Sequence, residues 1–205
     1  MGDTPYADYL VDVPEGRSGP WRVERFTVEK DDLGRIHYAL QGRDVTPGTY
    51  TRLMKDGRPH DPMMSDTPSE VRDLFPAVFE IRERGGRVLL NGLGLGVILK
   101  VALATPEVTH VDVVEVDPDI ASLVWPTYAG DPRAALHLGD AYTIAWPRGV
   151  RWSVAWHDVW PTICTDNLPE MARLHRKYGR RVDWQGSWAK EWLMDMRRRD
   201  GGSIS

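Results

Sequence analysis

The chain has 205 residues, a formal charge of −4, 41% hydrophobic and 27% charged residues, the balance of a water-soluble globular protein of one compact domain with a modest appendage. No run approaches the roughly 18 apolar residues of a membrane span, and Met1 to Tyr6 has neither the basic flank nor the apolar stretch of a secretory signal, so a cytoplasmic setting is expected. The single cysteine, Cys164, excludes an internal disulfide and a zinc site of several thiolates, and is read as a core or near-core side chain rather than a nucleophile.

Residues 1–20 mix Gly, Pro and acids and read as an extended or poorly ordered arm. Rising β-branched and aromatic content from Trp21 to Lys30, a turn at Asp31-Asp32-Leu33-Gly34 and its resumption from Arg35 to Gln41 predict a hairpin. A third short strand is expected over Tyr50 to Met54, closed by Asp56-Gly57, which makes residues 21–65 a small N-terminal β unit. Asp66-Thr67-Pro68-Ser69-Glu70 then supplies a capping residue, a first-turn proline and an early acid. The helix that follows runs to about Arg84, kinks or restarts at Pro76, and stops at Gly85-Gly86.

Strands and helices alternate from there. Strands are predicted over Arg87 to Asn91, His110 to Val116, Ala134 to Leu138 and Arg151 to His157, and helices over Leu95 to Ala104 and Pro118 to about Tyr128. This order predicts a parallel sheet with right-handed crossovers. Beyond Asp158, Leu168, Met171, Leu174 and Tyr178 recur at helical spacing, as do Trp188, Trp192 and Met196, and two final helices are expected. Arg181 to Gln185 between them is too polar to assign as a strand. Residues 66–205 thus read as one α/β domain ending in two helices.

In an open parallel sheet, ligands bind outside the carboxyl ends of the strands. After the first strand stands Asn91-Gly92-Leu93-Gly94-Leu95-Gly96, whose glycines permit positive φ and let backbone N–H groups approach a ligand at a helix start. Taken alone, the same turn serves as a tight strand-to-helix connection. Glu115 closes the second strand, near the roughly 20-residue offset at which an acid meets a ribose diol, while Asp117 before Pro118 reads as a helix cap. The third strand ends in Gly139-Asp140-Ala141, where an Asp can accept from the exocyclic amine of adenine and Ala leaves room for the ring. A nicotinamide dinucleotide is disfavoured, because its G-x-G-x-x-G fingerprint needs glycine where this chain has Val97.

These residues resemble the class I S-adenosylmethionine-dependent methyltransferases, and within that fold the spermidine synthase group. The resemblance runs from about Gly86 to Pro161, through the glycine turn, Val113-Val114-Glu115-Val116-Asp117 and Asp131-Pro132-Arg133 leading to Gly139-Asp140-Ala141. The N-terminal β unit is also similar to the small β domain that precedes the polyamine synthase core. The resemblance implies a Rossmann-like α/β fold and S-adenosyl-L-methionine as cofactor. Asn91, Gly92, Leu93 and Gly94 would face its amino acid part, Glu115 with Val116 beside it the ribose, and Asp140 with Ala141 the adenine. It also puts Asp158, in Trp156-His157-Asp158-Val159-Trp160-Pro161, where polyamine synthases place a substrate-deprotonating Asp. A carboxylate beside the activated carbon suits transfer from a sulfonium to an amine. His157 is an alternative base; structurally, Asp158 would cap a loop and His157 point into the sheet.

The chain also departs from that group. Trp160 and Pro161 stand where polyamine synthases carry further acids, so diamine recognition does not carry over. Little chain remains after Asp158 for a fifth strand and a terminal antiparallel hairpin, so a sheet shortened at its C-terminus is expected, its open edge suited to cover by a second copy. Neither the Asp/Asn-Pro-Pro-aromatic motif of amino-directed nucleic-acid methylation nor a Pro-Cys nucleophile motif is present. Arg173, Arg176, Lys177, Arg180, Arg181 and Arg197-Arg198-Arg199 read as solvated or dipole-complementing charges. The expectation is a methyltransferase with a small-molecule acceptor favoured over nucleic acid and no membrane partner. Aminopropyl transfer and a cofactor-binding module without turnover are the alternatives.

Overall fold

A computed structural model describes residues 6–29, 46–57 and 63–201. Two sheets form. The first is antiparallel, in the order β1 (Gly16–Ser18), β2 (Trp21–Val28), β3 (Gly48–Lys55) and β4 (Met64–Ser65). Strand β2 pairs with β3 over its whole length, from Trp21 opposite Lys55 to Val28 opposite Gly48. The expected second hairpin strand, Arg35 to Gln41, lies outside the described residues. The segment read as a loose arm is packed where it is described. Tyr9, Val11 and Val13 are buried, and Val11 N–H donates to Asp66 Oδ2 at 2.9 Å.

That bond also explains why Asp66 does not cap the next helix. Its other oxygen accepts from Thr51 N–H at 2.7 Å, so the carboxylate staples the N-terminal segment to β3 while Thr67 takes the cap position. The predicted helix is in fact two, α1 (Pro68–Asp73) and α2 (Phe75–Arg84), broken at Leu74 with Pro76 in the first turn of the second. A proline there lacks only an N–H that has no intrahelical partner in any case.

The second sheet is parallel, in the order β7-β6-β5-β8-β9. Its strands are β5 (Gly86–Asn91), β6 (Val108–Glu115), β7 (Ala134–Leu138), β8 (Trp152–His157) and β9 (Val182–Ser187). Between them lie α3 (Val97–Ala104), α4 (Pro118–Val124) and α5 (Asn167–Tyr178), and α6 (Lys190–Gly201) follows the last. This is a Rossmann-like α/β fold. The segment too polar to assign from sequence is therefore a fifth strand, paired on β8 from Trp152 opposite Val182 to His157 opposite Ser187. Sitting at the end of the strand order, it needs only one strand partner, and its burial is partial.

Side chains alternate between the two faces of the parallel sheet. Val88, Leu90, Val111, Val113, Val154 and Trp156 enter one core, which also takes Trp21, Val23 and Leu53 from the antiparallel sheet. Leu89, Val114 and Ala155 enter the other, against Met171, Leu174 and Tyr178 of α5, where Trp152 at the start of β8 joins them out of the alternation. The expected α5 stripe is thus the buried one, but the Trp188/Trp192/Met196 stripe is not. Helix α6 buries Leu193 and leaves Trp192 54% exposed.

Asp112 of β6 is buried with no exposed surface beside the second core. It accepts from Arg87 Nε at 2.6 Å and Nη2 at 3.0 Å, from His137 Nε2 at 2.9 Å and from Trp152 Nε1 at 2.7 Å. Four strands meet on this carboxylate. Burial pushes its pKa up, but the bonds from Arg87, Trp152 and His137 outweigh that and hold it below the ordinary value. A carboxyl with a lowered folded-state pKa stabilises the fold above its unfolded value near 4 and loses that contribution as the pH falls through the folded value. Asp112→Ala, which strands the indole N–H and the guanidinium, is expected to lower the unfolding free energy by about 3–5 kcal/mol in urea titrations at neutral pH. The deficit relative to the parent should shrink on acidification below about pH 4.

Candidate functional site

The strand order reverses between β5 and β8, and a crevice opens at such a switch point. Here it is a cavity of about 400 Å³, within the range of roughly 300–1,000 Å³ common for small-molecule sites. Four strand ends line it. Gly92 and Gly94 follow β5, Glu115 and Val116 close β6, Asp140 and Ala141 follow β7, and Asp158 follows β8. The antiparallel sheet roofs it with Trp21, Leu53, Lys55, Met63 and Met64. Trp21 Nε1 donates to Asp117 Oδ2 and Ser18 Oγ to Asp119 Oδ1, both at 2.7 Å, and these bonds pin the roof to the start of α4. Asp117 also caps α4, its Oδ1 accepting from Asp119 N–H at 2.9 Å.

Glu115 is buried with its oxygens aimed at the chain's own backbone. Oε2 accepts from Leu93 N–H and Oε1 from Asp117 N–H, each at 2.9 Å. Each oxygen keeps a further lone pair. Burial raises the carboxyl above its ordinary pKa despite these bonds. Val116 beside it is 68% exposed, a flat apolar surface in the cavity wall. Asp140 accepts from Tyr142 N–H through Oδ1 at 2.7 Å, and no hydrogen bond among the described residues reaches its Oδ2. The loop beginning at Ala141 is held from below. The Ala141 carbonyl accepts from Tyr178 Oη at 2.8 Å and from Lys177 Nζ at 2.9 Å.

The glycines of the turn answer first to the protein itself. A Cβ on Gly92, at φ 101°, would overlap the carbonyl oxygen of Asp158, and one on Gly94, at φ 51°, would run into the Met64 thioether. Leu95 N–H donates to that same sulfur at 3.3 Å. Of the predicted set, Asn91 and Leu93 do not reach the cavity. Leu93 lends its N–H to Glu115 and its side chain to the core. Asn91 is fully buried and its Nδ2 lies 2.7 Å from His157 Nδ1.

His157 is likewise withdrawn. It has no exposed surface, and its Nε2 sits 3.2 Å from Gln185 Oε1. With Asn91 donating to Nδ1 and Nε2–H donating to Gln185, the ring is a neutral tautomer with both nitrogens engaged. Burial lowers its pKa to about 3. The alternative base of the sequence reading is thus a bracket between β5, β8 and β9, and does not meet the cavity. Asp158 does. Its N–H donates to the Asn91 carbonyl at 2.8 Å, and among the described residues no hydrogen bond reaches its half-buried carboxylate. Burial, with the charges of Glu70, Asp73 and Glu115, pushes that carboxyl up to about 7.

Several site residues escaped the sequence reading. Trp21, Lys55, Met63 and Met64 carry no motif and become cavity residues only because the antiparallel sheet folds over the crevice. Glu170, also in the cavity wall, binds Trp160 Nε1 at 2.9 Å. Cys164 proves exposed rather than near the core, its Sγ 3.3 Å from Asn167 Oδ1 at the start of α5. No helix among the described residues is long and apolar enough to cross a membrane.

No family model matches the chain, and no curated protein matches it. Solved structures do share its fold. One is the 23S rRNA methyltransferase ErmE, at 16% identity and a TM-score of 0.44, covering 57% of this chain and 45% of that one. Another is PH1948 of Pyrococcus horikoshii, described provisionally as an RNA methyltransferase, at 19% identity and a TM-score of 0.44, covering 59% and 57%. A third is an S-adenosylmethionine-dependent methyltransferase of Mesorhizobium loti, at 18% identity and a TM-score of 0.40, covering 53% and 48%. The chain spans about half the length of these structures. Two of the three bear names of RNA-directed enzymes, so the expectation that a small-molecule acceptor is favoured over nucleic acid is withdrawn.

The state of Asp158 can be read without any ligand. A carboxyl that holds its proton more tightly when folded makes stability fall as the pH rises from the unfolded value near 4 through the folded value near 7. Asp158→Asn cannot titrate and is expected to be more stable than the parent at about pH 8, by on the order of 1–3 kcal/mol, with the gain vanishing near pH 4. Urea unfolding across that range reads it. A gain that does not change with pH refutes the raised carboxyl.

Proposed function

We propose that the cavity binds S-adenosyl-L-methionine and that the protein is a methyltransferase, with Asp158 accepting the proton that the nucleophile loses. The observation that carries this reading is the convergence of Glu115, Asp140 and Asp158 from three strand ends on one cavity at the switch point. Glu115 would take the ribose hydroxyls on its remaining lone pairs. Asp140 Oδ2 would take the adenine amine, with Val116 and Ala141 against the ring. The donor set fits a cation. Glu115, Asp117, Asp140, Asp158 and Glu170 line the cavity against one basic side chain among the described residues, Lys55. When bound, the cofactor supplies a methyl group activated on a positively charged sulfonium.

Asp158 contributes through position and proton affinity. It stands opposite the glycine turn, where its backbone is fixed by Asn91, and a carboxyl near 7 is matched to proton transfer at neutral pH. The Trp160 indole, buried beside it and tied to Glu170, walls that side of the cavity against water.

Calorimetry with S-adenosylmethionine and S-adenosylhomocysteine is the first test, and absence of binding to either sinks the reading. Glu115→Gln is expected to weaken binding by roughly 10- to 100-fold, the worth of hydrogen bonds to a charged acceptor. With an acceptor in hand, the rate of methyl transfer should rise with pH through about 7 and then level. Asp158→Asn should lower the rate by about 100-fold or more while sparing affinity. Cofactor bound but never consumed across acceptors would point to a binding module.

A further inference from the structure

The basic residues of the C-terminal region do not behave as one solvated group. Lys177 donates to the carbonyls of Ala141 and Ile144, and Arg181 to those of Pro147 and Val150. Those two are structural. Arg176, Arg197 and Arg198 instead line a second cavity of about 590 Å³ between α5 and α6, joined by Lys190. No acidic side chain among the described residues lines this cleft, and its floor is Leu168, Ala172 and Met194. Arg198 pairs with Asp195. Arg176, Lys190 and Arg197 have neither an ion pair nor a hydrogen bond among the described residues. In a protein of net charge −4, three neighbouring unpaired cations around a concave surface repel one another, and a polyanion relieves that repulsion.

Lys190 also borders a groove of about 650 Å³ with Ile163, Trp184, Ser187 and Trp192, whose other charged lining residues, Arg72, Asp73 and Glu191, leave it without the positive excess of the cleft. Trp192 is the 54% exposed indole that α6 leaves out of the core, an aromatic face in the groove, which meets the cationic cleft at Lys190. The groove shares no lining residue with the cavity but lies beside the strand end that carries Asp158. Ser187 is the register partner of His157, the residue before Asp158, so the groove begins one strand spacing of about 4.8 Å from the end of β8. Ile163 belongs to the loop that follows Asp158.

From these placements we infer that the cleft and groove bind single-stranded nucleic acid, Arg176, Lys190 and Arg197 holding phosphates and Trp192 stacking a base. Unpaired cations along a concave track combined with an exposed aromatic face are the two elements of such binding. The inference rests on the proposed methyltransferase reading only in naming this strand as the acceptor; binding itself does not depend on it.

Fluorescence anisotropy of the full chain with a labelled single-stranded RNA of mixed sequence, between about 50 and 200 mM salt, tests it. Salt-dependent binding is expected. Replacing Arg176, Lys190 and Arg197 by Ala together should weaken it more than tenfold at low salt and reduce the logarithmic salt slope by about 2, roughly 0.7 for each phosphate no longer neutralised. Trp192→Ala should weaken binding about tenfold and leave the slope unchanged. Should the triple variant misfold by circular dichroism, Arg197→Glu alone carries the test, with a loss of several-fold. A single-stranded DNA arm of equal affinity supports the inference and leaves the sugar unread, whereas weaker binding assigns RNA. Binding unmoved by the triple variant, or a blunt duplex bound as tightly as the single strand, overturns it, as does competition by anionic lipid vesicles at equal charge. S-adenosylmethionine calorimetry on the same variants should be unchanged. Nucleic acid bound without S-adenosylmethionine ever binding would sink the proposed function and leave this inference standing.

Discussion

The site depends on a backbone contact. Strands β5 and β8 leave the sheet on either side of the point where its order reverses, and at their ends the chain must turn in opposite directions without drifting apart. It does so because residue 92 has no side chain. The Asp158 carbonyl occupies the space a Cβ would take, and the Asp158 N–H reaches the Asn91 carbonyl at 2.8 Å. His157 reinforces the junction by taking Asn91 on one ring nitrogen and Gln185 on the other. A residue with two bonds and no surface is unsuited to proton transfer and well suited to fixing its neighbour. Of His157 and Asp158, only Asp158 therefore has a carboxyl or ring nitrogen free to serve the proposed proton transfer.

The parts of the fold that were legible in sequence are those where local chemistry and tertiary context agree. A short apolar run placed β5 and a continuous β-branched run placed β6 because these strands are buried on both faces, and Pro118 behind Asp117 marked a helix start that the structure keeps. Pro76 marked a real break for the same local reason. The site was legible only at strand ends, where sheet topology converts sequence position into spatial proximity. That is how Glu115, Asp140 and Asp158 stood out while the roof residues did not. Trp21 and Lys55 are ordinary strand residues until a separate sheet is laid across the crevice, and no spacing rule relates them to position 115.

Long-range partners decide what local chemistry leaves open. Of the two capping types ahead of Pro68, Thr67 takes the cap position, because two backbone N–H groups, of Val11 and Thr51, claim the Asp66 carboxylate. Trp188, Trp192 and Met196 recur at helical spacing, and the helix forms, but Trp188 precedes it and α6 lies against its neighbours through Leu193. Arg181 to Gln185 looked too polar for a strand because half-buried positions tolerate polarity, and in the observed strand Gln185 and Ser187 use theirs on His157 and His175. In each case a long-range partner outweighed a sound local preference, an outcome that propensity and periodicity do not contain.

Net charge conceals the electrostatic design most thoroughly. A value of −4 argues against attraction to nucleic acid if the charge is spread evenly, but it is not. Five carboxylates line the cavity at the switch point, while the α5/α6 cleft is lined by cations with no acid among its described residues. The two fields have different consequences for a phosphate-bearing acceptor. Its backbone would be repelled from the cavity, where a cationic cofactor would be favoured, and held in the cleft between α5 and α6. Only an uncharged base would then have reason to cross from the groove to Asp158. The separation that makes the average charge uninformative is thus what would let one small domain hold a sulfonium and a polyanion side by side.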